Sequence, residues 1–239
     1  MNIILCGYGK MGVMIESLLV QHEDAQIIGV VHPGLYESPM DVHEKADVII
    51  DFSYPGNLED VLERARKDKC AVVIGTTGYS DEQIALIRAA AEELPIVHSS
   101  NYSLGVAVLR RAVRMVAPAL KDSFDIEIVE THHNQKADAP SGTAKMLLKA
   151  ADPDNEFEHV YGREGITGKR GREIGIHAVR GGTVAGEHSV FFFGEDETLE
   201  LRHSAASRRI FAAGAVRAAY FVSGRSAGLY DIDDVIDAN

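Results

Sequence analysis

The chain has 239 residues, which suits one large domain or two modest ones and is enough to bury a substantial core. Its composition, 46% hydrophobic and 25% charged, is ordinary for a globular protein. The formal net charge of -12 argues against a general binder of nucleic acids or anionic membranes, so any anionic ligand must meet a local cluster of positive charge.

The N-terminus combines a short strand, a glycine-rich turn and a helix. Residues 2–6 are apolar and predict a strand, and a helical pattern follows the turn at 7–12. The turn reads Gly-Tyr-Gly-Lys-Met-Gly, which is the dinucleotide fingerprint in the context that it requires. Gly7 permits the tight turn, Gly9 the approach of backbone to a pyrophosphate, and Gly12 the packing of helix on strand. A plain glycine-rich turn is the alternative.

The second strand, residues 25–31, is expected to end beside the adenosine ribose of a bound dinucleotide. An acidic residue there would select NAD through the ribose 2′-hydroxyl. The chain has His32 instead, and Glu37 lies further along the loop. We therefore expect weak discrimination between NADH and NADPH. Lys10 and His32 could favour a 2′-phosphate, although the lysine is equally well explained as an ordinary solvated side chain.

Further strands alternate with helices as far as residue 103. The strands are predicted at 46–52, 70–74 and 95–98, and the helices at 55–67 and from Ser80, where Ser-Asp-Glu-Gln has the form of a capping box. This alternation predicts an α/β fold of Rossmann type, with a doubly wound parallel sheet. Ligands of such sheets bind beyond the carboxyl ends of the strands.

Polar turns follow the carboxyl ends of several of these strands. Each turn alone is most simply a connecting loop, but their shared edge indicates a cofactor cleft. The predicted cofactor-binding residues are Gly7, Tyr8, Gly9, Lys10, Met11, Gly12, His32, Gly75, Thr76, Thr77, Ser99, Ser100, Asn101 and Tyr102.

The pattern changes after residue 103. A long helix over 104–120, interrupted near Pro118, precedes segments that are mostly strand-like. Strands are predicted at 124–131, 174–180, 187–194 and 197–203, with one helix at 141–150. This predicts a second, smaller α+β domain with a mixed or antiparallel sheet. We assign 1–103 to the dinucleotide-binding domain, completed by 208–239 with a helix to 222 and a tail over 228–236, and 104–207 to the second domain.

Residues 152–173 are polar and rich in glycine, and they are locally basic from 162 to 172. Two interpretations have equal weight. The segment is either a disordered surface loop or an anion-seeking flap over the active site.

An ionisable cluster joins the first strand of the second domain to its helix. His132, His133, Lys136 and Asp138 lie within seven positions, and Ser141 is a good N-cap for the helix that follows. A strand, an ionisable loop and a helix N-terminus are suited to hold an anion and to move a proton. A lone histidine would more often be structural, and no third ligand lies at metal spacing, so no metal is expected.

Cys6 and Cys70 lie in apolar runs and are interpreted as core thiols. No basic leader precedes the first strand, and no run reaches the roughly 20 apolar residues of a membrane span. We expect a cytoplasmic protein whose partners include neither membrane nor nucleic acid.

The chain resembles one family closely, the 4-hydroxy-tetrahydrodipicolinate reductases (dihydrodipicolinate reductases) of lysine biosynthesis in bacteria and plants. The most specific shared block, at 130–144, is Glu-x-His-His-x-x-Lys-x-Asp-x-Pro-Ser-Gly-Thr-Ala. The other shared motifs lie at 7–12, 51–53, 75–78, 100–103, 180–182, 186–188 and 211–215. The glycine fingerprint is common to many dehydrogenases, whereas the 130–144 block is highly specific.

The resemblance implies a reduction, by NADH or NADPH, of a small heterocyclic dicarboxylate with loss of water, in lysine and diaminopimelate biosynthesis. By this resemblance His132 supplies a proton to the ring and Lys136 assists as a proton donor. It also implies that His133 contacts the substrate and that Gly142 and Thr143 hold a carboxylate. The family is usually a homotetramer formed through the second domain. Many members carry an acidic residue where this chain has a histidine at the end of the second strand.

Elementary chemistry agrees with these roles. Hydride addition to a conjugated imine leaves an electron-rich carbon that must take a proton, and a histidine titrating near neutrality can give it. Lys136 and His133 place positive charge where a dianion would bind, beside the N–H groups that follow Ser141. Two rivals remain. Another dehydrogenase of similar architecture would need its own catalytic motif, and a dinucleotide sensor would not need His132 or Lys136.

Overall fold

A six-stranded parallel sheet organises the first part of the chain in the computed structural model, which describes residues 1–238. Its strands are β1 (Asn2–Cys6), β2 (Gln26–Val31), β3 (Val48–Asp51), β4 (Ala71–Ile74), β5 (Pro95–His98) and β11 (Gly228–Tyr230), in the order β11-β5-β4-β3-β1-β2. The central strands β3 and β4 are buried along their whole length, as expected for a parallel sheet covered on both faces. The predicted doubly wound α/β fold is confirmed.

Helices flank this sheet in the sequence. They are α1 (Lys10–Leu19), α2 (Leu58–Asp68), α3 (Asp81–Ala90), α6 (Arg209–Val222) and α7 (Ile232–Asp237). The apolar positions of α2 recur at helical spacing and are buried, so one face of this helix enters the core. The Ser80 side chain accepts a hydrogen bond from the Gln83 backbone N–H, and the Gln83 side-chain oxygen accepts one from the Ser80 backbone N–H, which completes the capping box at the start of α3.

The C-terminal tail is more regular than predicted. Residues 228–236 contain β11, which pairs in parallel with β5, and most of α7. Asp231 starts α7 because its carboxylate accepts hydrogen bonds from the backbone N–H groups of Asp233 and Asp234. Met1–Leu104 and the segment from Arg209 onward form one structural unit, and Gly105–Arg208 forms a second.

The second unit is built on a mixed five-stranded sheet. Its strands are β6 (Asp125–His132), β7 (Glu158–Tyr161), β8 (Glu173–Arg180), β9 (Gly186–Phe193) and β10 (Thr198–Ala205), in the order β10-β9-β6-β8-β7. The β6-β8 and β7-β8 pairs are parallel, whereas the β6-β9 and β9-β10 pairs are antiparallel. The predicted mixed sheet is therefore confirmed.

One face of this sheet packs with α4 (Leu104–Leu120) and α5 (Gly142–Ala151) into a hydrophobic core that includes Ile126, Ile128, Val190 and Phe192. The expected interruption at Pro118 is absent, and α4 continues through this proline to Leu120.

The segment 152–173 combines a short strand with an exposed loop, so it is not disordered throughout. It contains β7, and the Asp152 carboxylate accepts hydrogen bonds from the Glu156 and Phe157 backbone N–H groups just before that strand. Its arginines are paired with carboxylates: Arg163 and Arg170 with residues of the same sheet, and Arg172 with Asp122 and Glu156. Arg163 lies 2.7 Å from Glu127 and 2.6 Å from Glu173, so its charge is already balanced locally.

Among residues 1–238, no helix is long and apolar enough to cross a membrane, and no group of three or more His, Cys, Asp and Glu side chains is placed to hold a metal ion. Cys6 and Cys70 are buried and free. Burial raises the pKa of the Cys70 thiol to about 12, as expected for a core thiol.

Candidate active site

The glycine-rich turn of the first unit needs glycine at two of its three positions for steric reasons. Gly7 has φ +89°, and a Cβ atom there would lie 2.4 Å from the Phe52 carbonyl oxygen. A Cβ atom at Gly12 would lie 2.1 Å from the Gly7 carbonyl oxygen. At Gly9 a Cβ atom would meet nothing within 4 Å, so this glycine leaves open space at the start of α1.

The start of α1 is suited to an anion. Gly9 is the N-cap, it supplies no side-chain hydrogen bond, and the first turn contains no acidic residue. Lys10 is exposed there and Met11 is half-buried. Free N–H groups and the positive end of the helix dipole are the usual partners of a dinucleotide pyrophosphate, so the residues of this turn fit that group.

The end of β2 presents His32 to solvent. Its Nδ1 lies 3.0 Å from the Pro33 carbonyl oxygen, and its ring lies 6.0 Å from the Tyr8 ring, edge to face. The loop turns back on β2, and the Glu37 carboxylate lies 3.4 Å from the Gly34 backbone nitrogen. Glu37 is therefore nearer to the strand end than its position in the sequence indicates.

The ends of β3 and β4 share a buried carboxylate network that the sequence analysis did not identify. Asp51 is fully buried, its Oδ1 lies 2.5 Å from the Ser53 hydroxyl oxygen, and its Oδ2 lies 3.2 Å from the Tyr79 hydroxyl. Burial raises the pKa of Asp51, and hydrogen bonds from Ser53 and Thr76 oppose that change. The Thr76 hydroxyl also accepts a 2.9 Å bond from the Ser53 backbone N–H, which links the two strand ends.

The remaining predicted cofactor residues divide into structural and exposed groups. A Cβ atom at Gly75 would lie 2.2 Å from the Phe52 ring. The Tyr102 side chain is buried, and its hydroxyl lies 2.8 and 3.1 Å from carbonyl oxygens of β4 and β5, so this side chain belongs to the sheet core. Ser99 Oγ donates to the Asn101 carbonyl at 2.8 Å and braces that turn. The exposed side chains at these ends are Thr77 and Ser100.

In the second unit, β6 brings two polar side chains to its core-facing side. The side chains of Ile126, Ile128, Glu130 and His132 alternate with more exposed ones. Glu130 is 0% exposed and His132 is 8% exposed. The Nδ1 atom of His132 lies 2.5 Å from Oε2 of Glu130.

The Glu130 carboxylate is fully satisfied by donors. Arg180 on β8 binds it through two nitrogens, each at 2.8 Å, and the Ser141 backbone N–H donates to Oε1 at 3.0 Å. Burial alone would raise the pKa of Glu130, but hydrogen bonds from Arg180, His132 and Ser141 outweigh burial and lower it. Glu130 is therefore a stable carboxylate anion.

His132 has an unusually acidic imidazolium. Burial lowers its pKa, Lys136 and Arg180 lower it further, and the Glu130 carboxylate opposes them. Lys136 itself lies 2.8 Å from Asp138, whose pKa it lowers through that hydrogen bond. The imidazolium form of His132 can therefore give up its proton readily.

A second histidine lies between His132 and the start of α5. The His188 ring is 5.1 Å from the His132 ring, edge to face, and its Nε2 lies 3.1 Å from the Ser141 hydroxyl. Burial lowers the pKa of His188 to about 4, so it is neutral near pH 7. Ser141 caps α5 by accepting from the Ala144 N–H, and a Cβ atom at Gly142 would meet nothing within 4 Å.

His133 contacts an arginine that the sequence analysis did not single out. Nη2 of Arg208 lies 2.9 Å from Nε2 of His133. A guanidinium group can only donate, so this ring nitrogen accepts and His133 carries its proton on Nδ1. Within residues 1–238 that Nδ1 is buried without a hydrogen-bond partner. Arg208 is 75 positions away in the sequence, and no local pattern could connect the two.

The second unit thus collects every predicted catalytic and substrate-binding residue on β6, the loop after it and the first turn of α5. These residues are His132, His133, Lys136, Gly142 and Thr143. The structure adds four residues to them: Glu130, Arg180, His188 and Arg208. Glu130 had a usable signal, since a charged residue at a core-facing strand position requires a partner. Arg180 and His188 lie in the shared motifs at 180–182 and 186–188, whereas Arg208 lies in none of the shared motifs.

Comparison with known proteins identifies relatives over nearly the whole chain. Residues 1–102 match the profile described as dihydrodipicolinate reductase, N-terminus, and residues 105–236 match that described as dihydrodipicolinate reductase, C-terminus. The 4-hydroxy-tetrahydrodipicolinate reductase of Brachyspira hyodysenteriae is 41% identical over 238 residues, covering 99% of this chain and 100% of that protein. That of Caldanaerobacter subterraneus subsp. tengcongensis is 44% identical over 238 residues, covering 95% and 94%.

A solved structure is also similar over its full length. The dipicolinate-bound dihydrodipicolinate reductase from Paenisporosarcina sp. TG-14 superposes with a TM-score of 0.77. It is 26% identical in sequence, and the match covers 96% of this chain and 97% of that one.

Proposed function

This chain belongs to the dihydrodipicolinate reductase family, and from that premise we propose that it reduces 4-hydroxy-tetrahydrodipicolinate to tetrahydrodipicolinate, with loss of water, in lysine and diaminopimelate biosynthesis. It is then an oxidoreductase that uses NADH or NADPH. The observation that carries the proposal is the buried pair of Glu130 and His132, followed by Lys136 and the start of α5.

The first unit is proposed to bind the cofactor. A bound reduced nicotinamide dinucleotide supplies the hydride. The N–H groups at the start of α1 and the open space beside Gly9 suit its pyrophosphate, and the exposed His32 suits its ribose. The turns after β4 and β5 are proposed to line the remainder of the cofactor.

The second unit is proposed to bind the dianionic substrate. A protein with a net charge of -12 must attract it locally, and Lys136 and Arg208 supply positive charge beside His133. The backbone N–H groups of Gly142 and Thr143 are proposed to hold one carboxylate, because they belong to the first turn of α5.

His132 is proposed as the general acid. Each turnover takes one hydride and one proton and releases one water, so the ring carbon next to the reduced carbon needs a proton donor. The imidazolium of His132 gives that proton and regains one from solvent, and its lowered pKa favours the transfer. Lys136 assists as a second proton donor, and its positive charge stabilises the bound dianion.

The test is a coupled assay in which the preceding synthase supplies fresh substrate and oxidation of NADH or NADPH is followed by absorbance. Turnover of this substrate supports the proposal, whereas its absence favours the dehydrogenase or sensor alternatives. His132→Gln and Lys136→Ala are each expected to lower kcat on the order of a hundredfold or more while cofactor affinity is preserved. Unchanged turnover in both variants would reject the assigned roles.

We propose that NADH and NADPH are used within about tenfold of each other, which is ~1.4 kcal/mol of discrimination. The exposed His32 and Lys10 support this, since neither excludes a 2′-phosphate, and the Glu37 carboxylate lies within hydrogen-bond range of the Gly34 N–H. Measurement of kcat/KM with both cofactors decides it, and a thousandfold gap in either direction would refute it.

We further propose a homotetramer, formed through the second unit, in the cytoplasm. One face of the mixed sheet is covered by helices, whereas the other carries Phe191 and Phe193, stacked 5.4 Å apart, with Phe193 40% exposed. Another copy of the chain is the proposed cover of these aromatic side chains. Free buried cysteines fit a reducing compartment. Light scattering should give a mass four times the 26.0 kDa chain.

A further inference from the structure

We infer that Glu130, held by Arg180, is a positioning residue that keeps His132 in the tautomer protonated on Nδ1 and leaves Nε2 as the atom that transfers the proton. The inference rests on the proposed role of His132 as the acid. It adds the residue that orients the acid and the ring nitrogen that acts.

The hydrogen bonds of the carboxylate fix the tautomer. An ionised carboxylate can only accept, so the ring nitrogen at 2.5 Å from it must carry a hydrogen. Each oxygen of Glu130 receives two donors: Oε2 from His132 and Arg180, and Oε1 from Arg180 and the Ser141 N–H. Arg180 is held in turn by the Asp138 carbonyl oxygen at 2.7 Å, so the acceptor cannot turn away from the ring.

Gly186 lies on the opposite side of the ring. A Cβ atom at Gly186 would lie 3.0 Å from Nε2 of His132 and 3.4 Å from Cδ2, so the absence of a side chain there makes room beside Nε2. A ring flip would place a carbon against Glu130 and remove the bond to Nδ1. The His188 ring packs edge to face on His132 and stays neutral, so it adds no competing charge.

Glu130→Gln is expected to invert the tautomer. With the amide oxygen at the Oε1 position, the Gln side chain still accepts hydrogen bonds from the Ser141 N–H and from Nη2 of Arg180. One conflict between two donors remains, because the amide NH₂ then faces Nη1 of Arg180. The opposite orientation gives two such conflicts. In the favoured orientation the amide NH₂ faces Nδ1 of His132 and donates to it, so the ring hydrogen moves to Nε2.

The first experiment does not depend on measuring enzymatic activity. Protein labelled with ¹⁵N in its histidine rings is studied by NMR at a pH above the His132 pKa, and the His132 signals are assigned by their loss in His132→Gln. The Nδ1 signal is expected at a protonated shift and the Nε2 signal at an unprotonated shift. A wild-type His132 protonated on Nε2 overturns the inference, even if Glu130→Gln fails to fold.

The second experiment uses Glu130→Gln in the coupled assay. We expect kcat to fall on the order of a hundredfold or more, as in His132→Gln, the cofactor Kd to stay unchanged, and the tautomer to invert, because a wrong histidine tautomer alone costs about ten-thousandfold in a serine protease. Asp152→Asn is the matched control, since Asp152 is also buried and bonds a histidine ring and backbone N–H groups. This control is expected to keep its kcat.

The outcomes separate the two proposals. If Glu130→Gln inverts the His132 tautomer but keeps its kcat, the claim that this tautomer is required for proton transfer is overturned. A His132→Gln variant with full activity shows instead that the proposed acid is wrong, while the wild-type tautomer still reports whether Glu130 positions the ring. Equal losses of kcat in Asp152→Asn and Glu130→Gln would assign both to damage of the fold and overturn the inference.

Discussion

Glu127→Gln is expected to make the second unit less stable at neutral pH but not in acid. Glu127 lies on the exposed face of β6, bonded to Arg163 and, at 2.7 Å, to His177, and Gly175 on the paired strand leaves room for it. Burial alone would raise the pKa of Glu127, but hydrogen bonds from Arg163 and His177 lower it from 4.5 to about 2.

The magnitude follows from linkage. A carboxylate whose pKa is lower in the folded state stabilises the fold above its unfolded pKa, and this stabilisation is lost as the pH falls through the folded pKa. This stabilisation is therefore lost as the pH falls from 4.5 to about 2. At about 1.4 kcal/mol per pH unit, the ionised form contributes roughly 3 kcal/mol. The side chain is only 14% exposed, so screening by solvent removes little of this.

The assay is thermal unfolding of the wild type, Glu127→Gln and the exposed control Glu195→Gln from pH 7 to pH 2. At pH 7, a loss of about 3 kcal/mol corresponds to a decrease of roughly 6–12 °C in Tm for a protein of this size. The decrease should shrink below pH 4.5 and disappear near pH 2, while Glu195→Gln follows the wild type throughout. A constant difference between Glu127→Gln and the wild type across this range would refute the reasoning.

Three further predictions follow from the site and the sheet. Gly9→Ala should weaken NADH binding at least about tenfold in a fluorescence titration and leave Tm unchanged. Gly12→Ala should also lower Tm, because only the Cβ atom added at position 12 meets backbone atoms. Equal losses of Tm in the two variants would contradict this. The kcat/KM should fall as the pH rises through a value below 6.5, because the acid form of His132 is lost there, and a flat profile would count against the assignment. Phe193→Glu should reduce the mass measured by light scattering, and an unchanged mass would exclude that face as the subunit contact.

The sequence predicts the strands of this fold well where burial imposes a simple pattern. Runs such as Ile-Ile-Leu-Cys in β1 and Ala-Val-Val-Ile in β4 allow little except a buried parallel strand, and the alternation in β6 specifies a strand with one covered face. It misses β7 and β11 because their residues, Glu-His-Val-Tyr and Gly-Leu-Tyr, are exposed or half-buried and form no apolar run. Pairing with a neighbour that is distant in sequence stabilises them, and their own composition does not.

In the candidate site, too, the local features could be predicted from the sequence and the long-range contacts could not. The types of residue that carry chemistry, in the block from 130 to 144, are visible in the sequence because they are local. Their orientation depends on Arg180, 50 positions beyond Glu130, and on Arg208, 75 positions beyond His133. Such contacts depend on strand register and on the path of the chain, which a single sequence does not reveal.

Strand register and charge pairing are therefore linked in the second unit. The parallel pairing of β6 with β8 places His132 opposite Arg180, so both lie on the side of the sheet that holds Glu130. A slip of β8 by one residue would turn Arg180 to the other face and leave the Glu130 carboxylate buried without its bidentate partner. An uncompensated buried charge of this kind costs about 3–5 kcal/mol, a large part of the stability of a domain. The group that orients the proposed acid thus also selects the strand alignment on which that acid depends.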